Sequence, residues 1–166
     1  MSGPLFRFFS DDHRRLDALL DRATATPGRI ELVAFGEFRG GILRHIAMEE
    51  KVLIPAARRS RSGRALPIAA KLRVDHGAIA AILVPTPTPA IVADLRSVLV
   101  PHNRREEERG GLYETCDEGI GEPEAERLVA ELRAFPAVPL NPHRDGPLVV
   151  RHVRETLDLA RRQWRE

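Results

Sequence analysis

Two histidine–carboxylate pairs stand one helical turn apart: His45 with Glu49 in HIAMEE, and His102 with Glu106 in HNRREEE. On a helix, positions i and i+4 stack on one face, so each pair presents an imidazole and a carboxylate to the same neighbour. Both pairs interrupt stripes that are otherwise apolar. Burying such groups without partners costs about 2–7 kcal/mol each, so something must compensate them. An imidazole nitrogen is a neutral ligand, and a carboxylate is a hard, negative ligand able to bridge. Together they are donors suited to a first-row transition metal.

Two further histidines share this setting. The stripes spaced 3-4-3-4 read His13, Leu16, Leu20, Ala23; then Phe35, Phe38, Ile42, His45, Glu49, Val52, Ala56; then Ala69, Leu72, His76, Ile79, Leu83; then Val92, Leu95, Leu99, His102, Glu106. Such spacing marks the face a helix turns to a core. A lone His13 or His76 reads as a core or helix-end histidine. The argument lies in the conjunction: every stripe carries one histidine, and two add a glutamate. Two carboxylates among four imidazoles suit two ions better than one, because each carboxylate can span both.

The elements that must position these groups are helical nearly throughout. Ser10 reads as an N-cap with Asp11 and Asp12 in the first turn, opening a helix that TPGR ends near residue 25. A second helix starts near 30, and Pro55 kinks it or begins its end. A third covers about 66–84, and PTPTP is a stiff connector. A fourth covers about 90–116, with Pro101 bending it beside His102. Shorter helices follow over about 123–134 and 148–163, separated by the proline-rich AFPAVPLNPHRDGP. The expected fold is all-α: an up-down four-helix bundle over residues 1–119 with a two-helix extension, 120–166, packed on it as one globular unit.

Other polar residues have plainer readings. Glu50 and Glu107 read as surface partners beside the seam, with a hydrogen bond to a ligand histidine as the alternative. Asp17 reads as solvated. Tyr113, seven residues after Glu106, returns to the same helical face and caps the core with its hydroxyl at the edge; the alternative is a hydrogen bond to a metal ligand. His143 and His152 are expected to be exposed. The last helix has an apolar stripe of Val150, Val153, Leu157, Ala160 and Trp164. Its other face carries Arg151, Arg154, Arg161, Arg162 and Arg165. It reads as a helix docked on the bundle, with a dimer interface or a membrane-surface contact as competing roles.

Composition narrows the classes. The 166 residues are 43% apolar and 30% charged, with a net charge of +2, an ordinary balance for a globular protein. The basic residues are arginines spread along the chain, apart from Lys51 and Lys71, so no nucleic-acid face is expected. No stretch reads as a leader or a membrane span. Cys116 is the only cysteine, which fits a reducing cytoplasm. A monomer or a homodimer is expected.

The phrases DDHRRLDALL, HIAMEEKVLIP, DHGAI and HNRREEE, over roughly residues 10–116, resemble the haemerythrin-like (HHE cation-binding) family. The resemblance implies a four-helix bundle holding a non-haem di-iron centre. His13, His45, Glu49, His76, His102 and Glu106 would be its ligands, and the two carboxylates would bridge the irons. Iron follows from the resemblance; the donor set alone admits manganese or zinc. The chain departs from the oxygen-carrying members, which have a further histidine one turn from the third-helix ligand. Here those positions are Leu72 and Ala80. Its ligand set is similar to that of members associated with nitric oxide, peroxide or iron–sulfur repair. The expected function is binding of oxygen, nitric oxide or peroxide for sensing, sequestration or redox turnover, with electrons from a partner protein. Iron storage or delivery without ligand chemistry, and a metal-free structural bundle, are the competing readings. A ferritin-type site is disfavoured, since that uses Glu-x-x-His pairs.

Overall fold

The computed structural model describes residues 3–163; Trp164 and Arg165 lie outside them. Its first helix, α1 (Pro4–Ala23), begins six residues before the expected cap. Proline is well placed at the start of a helix, where its missing N–H is not needed. The free amides of Leu5 and Phe6 donate to the two carboxylate oxygens of Asp117 at 3.0 and 2.9 Å. That cap comes from more than a hundred residues away, so no local pattern announces it. Ser10 is instead buried within the helix, its hydroxyl without a partner.

The second helix, α2 (Leu32–Met48), is capped by Glu31, whose carboxylate accepts from the amides of Val33 and Ala34. The chain does not end or break at Pro55. It widens into one π-helical turn over Glu49–Leu53 and continues as α3 (Ile54–Ser60), with Pro55 in the first turn of α3. Single π turns concentrate at functional sites, and this one carries Glu49 and Glu50. Helix α4 (Ala69–Ile82) follows the polar loop. Helix α5 (Pro89–Glu107) is capped by Thr88 and runs through Pro101.

The expected helix to Cys116 is interrupted. After Glu107 the chain turns through Gly110, at a φ of +74°, and Gly111, then starts α6 (Leu112–Ile120). A Cβ at Gly111 would stand 2.5–2.7 Å from the carbonyl oxygens of Arg105, Glu106 and Glu108. Only glycine allows so close an approach. Helices α7 (Glu122–Arg133) and α8 (Pro147–Gln163) complete the chain.

Specific contacts order the helices. Asp12 meets His45 while Arg22 meets Glu37, so rising numbers on α1 face falling numbers on α2. His13 meets Glu107 while Asp21 meets Arg96, which gives the same relation between α1 and α5. Glu50 meets His76 while Arg39 holds the carbonyl of Leu83, linking α2 to α4 likewise.

Two apolar clusters fill the interior. One gathers Leu5, Phe9, Met48, Leu53, Leu72 and Leu112; the other gathers Leu16, Phe38, Ile42, Ile79 and Leu99. On α1, α2 and α4 the chain passes from one cluster to the other through a buried histidine; α5 runs from the second cluster to His102, and the first is reached again only at Leu112 of α6. Helix α8 docks on α4 and α5 through Leu157 and Ala160, the Arg161–Asp94 pair, and Gln163. Val150, expected in its buried stripe, is exposed. His152 is exposed as expected, but His143 is half-buried, with Nδ1 3.3 Å from the Val84 carbonyl. The proline-rich segment is held against the bundle by backbone carbonyls that Arg39 and Arg44 bind, which is what draws His143 in. Among the described residues no helix is long and apolar enough to cross a membrane.

Candidate metal centre

The six polar residues singled out on the stripes meet in the interior. His13, His45, Glu49, His76, His102 and Glu106 are all less than 5% exposed. Each histidine turns Nε2 to the common centre. His13 Nε2 lies 3.4 Å from Glu106 Oε2, and His45 Nε2 lies 3.4 Å from Glu49 Oε1. On the opposite side, His76 Nε2 lies 3.2 Å from Glu49 Oε2, and His102 Nε2 lies 3.3 Å from Glu106 Oε1. Each carboxylate therefore points one oxygen to the His13–His45 side and the other to the His76–His102 side. Donor atoms of Glu49, His76, His102 and Glu106 fall within 4.8 Å of one another, as do those of His13, His45 and Glu106.

The outward nitrogens explain how the rings are held. His13 Nδ1 pairs with Glu107 at 2.5 Å, His45 with Asp12 at 2.9 Å, His76 with Glu50 at 2.9 Å, and His102 with Asp75 at 3.4 Å. An ionised carboxylate only accepts, so each Nδ1 carries a proton, and a ring in its neutral form then offers its lone pair at Nε2. Glu50 and Glu107 thus orient histidines rather than serving only as surface partners. Asp12 and Asp75 do the same and were not singled out from the sequence. The available signal was adjacency: each of these acids sits next to a site residue in DH or EE. One residue along a helix is a rotation of 100°, which aims the acid at the neighbouring helix. Asp12 reaches α2, Glu50 reaches α4, Asp75 reaches α5, and Glu107 returns to α1, closing a ring. Asp17, by contrast, is exposed as expected.

A family model described as "Hemerythrin HHE cation binding domain" matches residues 5–110. The chain belongs to the haemerythrin HHE family. Comparison with curated proteins and with solved structures finds no match. The buried histidine–glutamate cluster of this haemerythrin domain is compatible with metal binding.

Electrostatics and hydrogen bonding fit that use. Burial pushes the Glu49 carboxyl up, but His45 and His76 outweigh it and hold it well below the usual carboxylate range. Burial and the charge of Glu49 push Glu106 well above that range. Burial lowers His76, yet Glu49 and Glu50 raise it to about 9. Burial takes His102 down to about 4 against the pull of Asp75. Such opposed shifts arise where like groups crowd together with too little countercharge, and a cation among them supplies it. Four inward atoms make no hydrogen bond: Glu49 Oε2, His76 Nε2, His102 Nε2 and Glu106 Oε1.

One member of the site lies beyond the haemerythrin match. Tyr113, at the start of α6, is fully buried rather than at the core edge. Its hydroxyl donates to Glu49 Oε1 at 2.7 Å and lies 3.1 Å from Glu106 Oε2. It is also 3.2 Å from Nε2 of both His13 and His45. Seven-residue spacing on one helix does not bring it there, since that helix ends; the turn at Gly110–Gly111 does. From the far end of the chain, Gln163 Nε2 donates to Asp75 Oδ1 at 2.6 Å.

Proposed function

We propose that this chain is a haemerythrin-like non-haem di-iron protein that binds oxygen, nitric oxide or peroxide for sensing, sequestration or redox turnover. The observation that carries the reading is the set of four buried, unpartnered donor atoms at the centre of the cluster. Leaving such an atom unpaired costs about 1–3 kcal/mol, and a shared cation removes that penalty. In this reading His13, His45, Glu49, His76, His102 and Glu106 are the ligands. Two ions suit the site because the donors fall into two groups that share Glu106. Iron is the metal the family suggests, and manganese or zinc could use the same donors. The helix pairings support an up-down arrangement of α1, α2, α4 and α5, with residues 1–119 as the metal-binding bundle and 120–166 as its extension. We assign the chain to the cytoplasm.

A bound iron pair supplies coordination positions and electrons for a small ligand. The chain's own residues do the rest. Asp12, Glu50, Asp75 and Glu107 hold the imidazoles with Nε2 inward. The apolar clusters on both sides keep bulk water out and strengthen every charge interaction inside. Leu72, buried one turn before His76, stands where a fifth histidine would add a ligand, and its apolar side chain would leave that position to an exogenous ligand; Ala80 is exposed.

Metal analysis of protein expressed with added iron tests the reading, followed by anaerobic reduction and titration with nitric oxide and oxygen. The expected result is about two irons per chain and an absorption change with either gas. Iron without a spectral response would make the chain a storage or delivery protein. No retained metal would leave a structural bundle.

A further inference from the structure

We propose that Tyr113 is a seventh protein donor of the metal centre, its phenolic oxygen joining His13 and His45 on one of the two ions. The proposal rests on the metal-binding reading above and adds a ligand from outside the stretch that matches the haemerythrin family.

Donors bound to one ion at about 2.0–2.2 Å and near right angles stand about 3 Å from one another. Tyr113 Oη lies 2.7, 3.1, 3.2 and 3.2 Å from Glu49 Oε1, Glu106 Oε2, His13 Nε2 and His45 Nε2. Those atoms are the inward donors of the His13–His45 side, and the oxygen keeps donor-to-donor spacing from all of them.

Glu107 and Asp12 fix the protons of His13 and His45 on Nδ1, so both Nε2 atoms are acceptors. With Glu49 Oε1 beside them, the hydroxyl therefore faces three acceptors with one proton. A hydrogen bond to Glu49 serves one of them. A cation bound by the oxygen and its neighbours serves all, and the hydroxyl proton leaves to solvent as the metal enters.

The Tyr113 ring is held from two sides. Phe9 stacks on it at 4.9 Å with planes 10° apart, and Phe6 meets it edge-on at 6.3 Å. Gly111 lets the chain fold back on the end of α5. Asp117, one turn along α6, caps α1. Helix α6 is thus fastened to both helices that flank the phenol. The donors then divide unequally: His13, His45 and Tyr113 on one side, His76 and His102 on the other. The second side is where an exogenous ligand finds fewer protein donors in its way.

Tyr113 is the only tyrosine in the sequence, so any tyrosinate signal is its own. The test is resonance Raman spectroscopy of the ferric, full-length protein, with iron content measured on the same sample. The expected result is a visible phenolate-to-iron charge-transfer band that enhances phenolate ring modes, and loss of both in Tyr113→Phe with iron retained. Iron-loaded wild type lacking those modes overturns the proposal and leaves the metal centre standing. Wild type that takes up no iron overturns both. The wild-type spectrum decides the matter even if the variant fails to fold.

Discussion

The stretch that matches the haemerythrin family and the stretch after it contribute differently to one site. Residues 5–110 supply the six donors singled out on the stripes, all on faces that helical periodicity turns inward. Residues beyond 110 supply Tyr113 at the centre, Asp117 as the cap of α1, and Gln163 as the support of Asp75. The first region determines which chemical groups meet. The second fastens them, through contacts with partners 64 to 112 residues away. A site of this kind is recruited by local pattern and positioned by tertiary structure.

The largest expected effect tests the first region. Glu106 belongs to both donor groups, so Glu106→Gln should weaken metal affinity by more than about a hundredfold and lower iron content accordingly, as losing a ligand outweighs losing its support. The metal-free variant should melt no lower than metal-free wild type, because burial and Glu49 already favour the protonated carboxyl. Full iron content in this variant would remove Glu106 from the centre.

A smaller effect separates the two regions. Asp75→Asn keeps the shape but loses the charge that orients His102, and should weaken metal affinity about 10–100-fold. Gln163→Ala acts through Asp75 and should give a loss in the same direction but smaller, read by competition with a chelator. Wild-type affinity in Gln163→Ala would make α8 a docked helix with no influence on the site.

The pH dependence of the metal-free protein sharpens the picture of its crowded charges. His76 titrates near 9 when folded, above the ordinary 6.5 of an imidazole, because Glu49 and Glu50 overcome its burial. Its stabilising contribution is therefore whole below pH 6.5 and is lost as pH rises towards 9. Thermal melts across that window should show a decline that His76→Ala removes. An unchanged slope in the variant would contradict the placement of the proton. The smallest effect is expected at Glu31, far from the centre. Glu31→Gln should weaken the α2 cap and lower the melting temperature slightly, since the amides of Ala34 and Val33 favour its charged form. Iron content should not change.

What could be read in the sequence follows the same division. The stripes on α1, α2 and α5 are buried throughout, and on α4 only Ala69 is partly open, because a 3.6-residue period is local information. The start of α1 lies at Pro4 rather than Ser10, since Pro4 and the distant Asp117 set it. The fourth helix ends at Glu107 rather than Cys116, since the turn at Gly111 depends on three carbonyls at the preceding helix end, which no periodicity announces. Tyr113 lies on the face that the seven-residue count implies, but the turn at Gly110–Gly111 brings it there rather than a continuous helix. The roles of Asp12 and Asp75 are not legible in the sequence because their partners lie on other helices, although each stands directly beside a site histidine.

The central claim is that side chains from α1, α2, the π turn, α4 and α5 share a pair of ions. Anomalous X-ray diffraction from iron-loaded crystals, recorded on both sides of the iron absorption edge, tests it directly. The account predicts two iron peaks, one bounded by His13 and His45, the other by His76 and His102, with Glu49 and Glu106 touching both. Peaks confined to the surface, or an interior free of anomalous signal in iron-replete crystals, would contradict it.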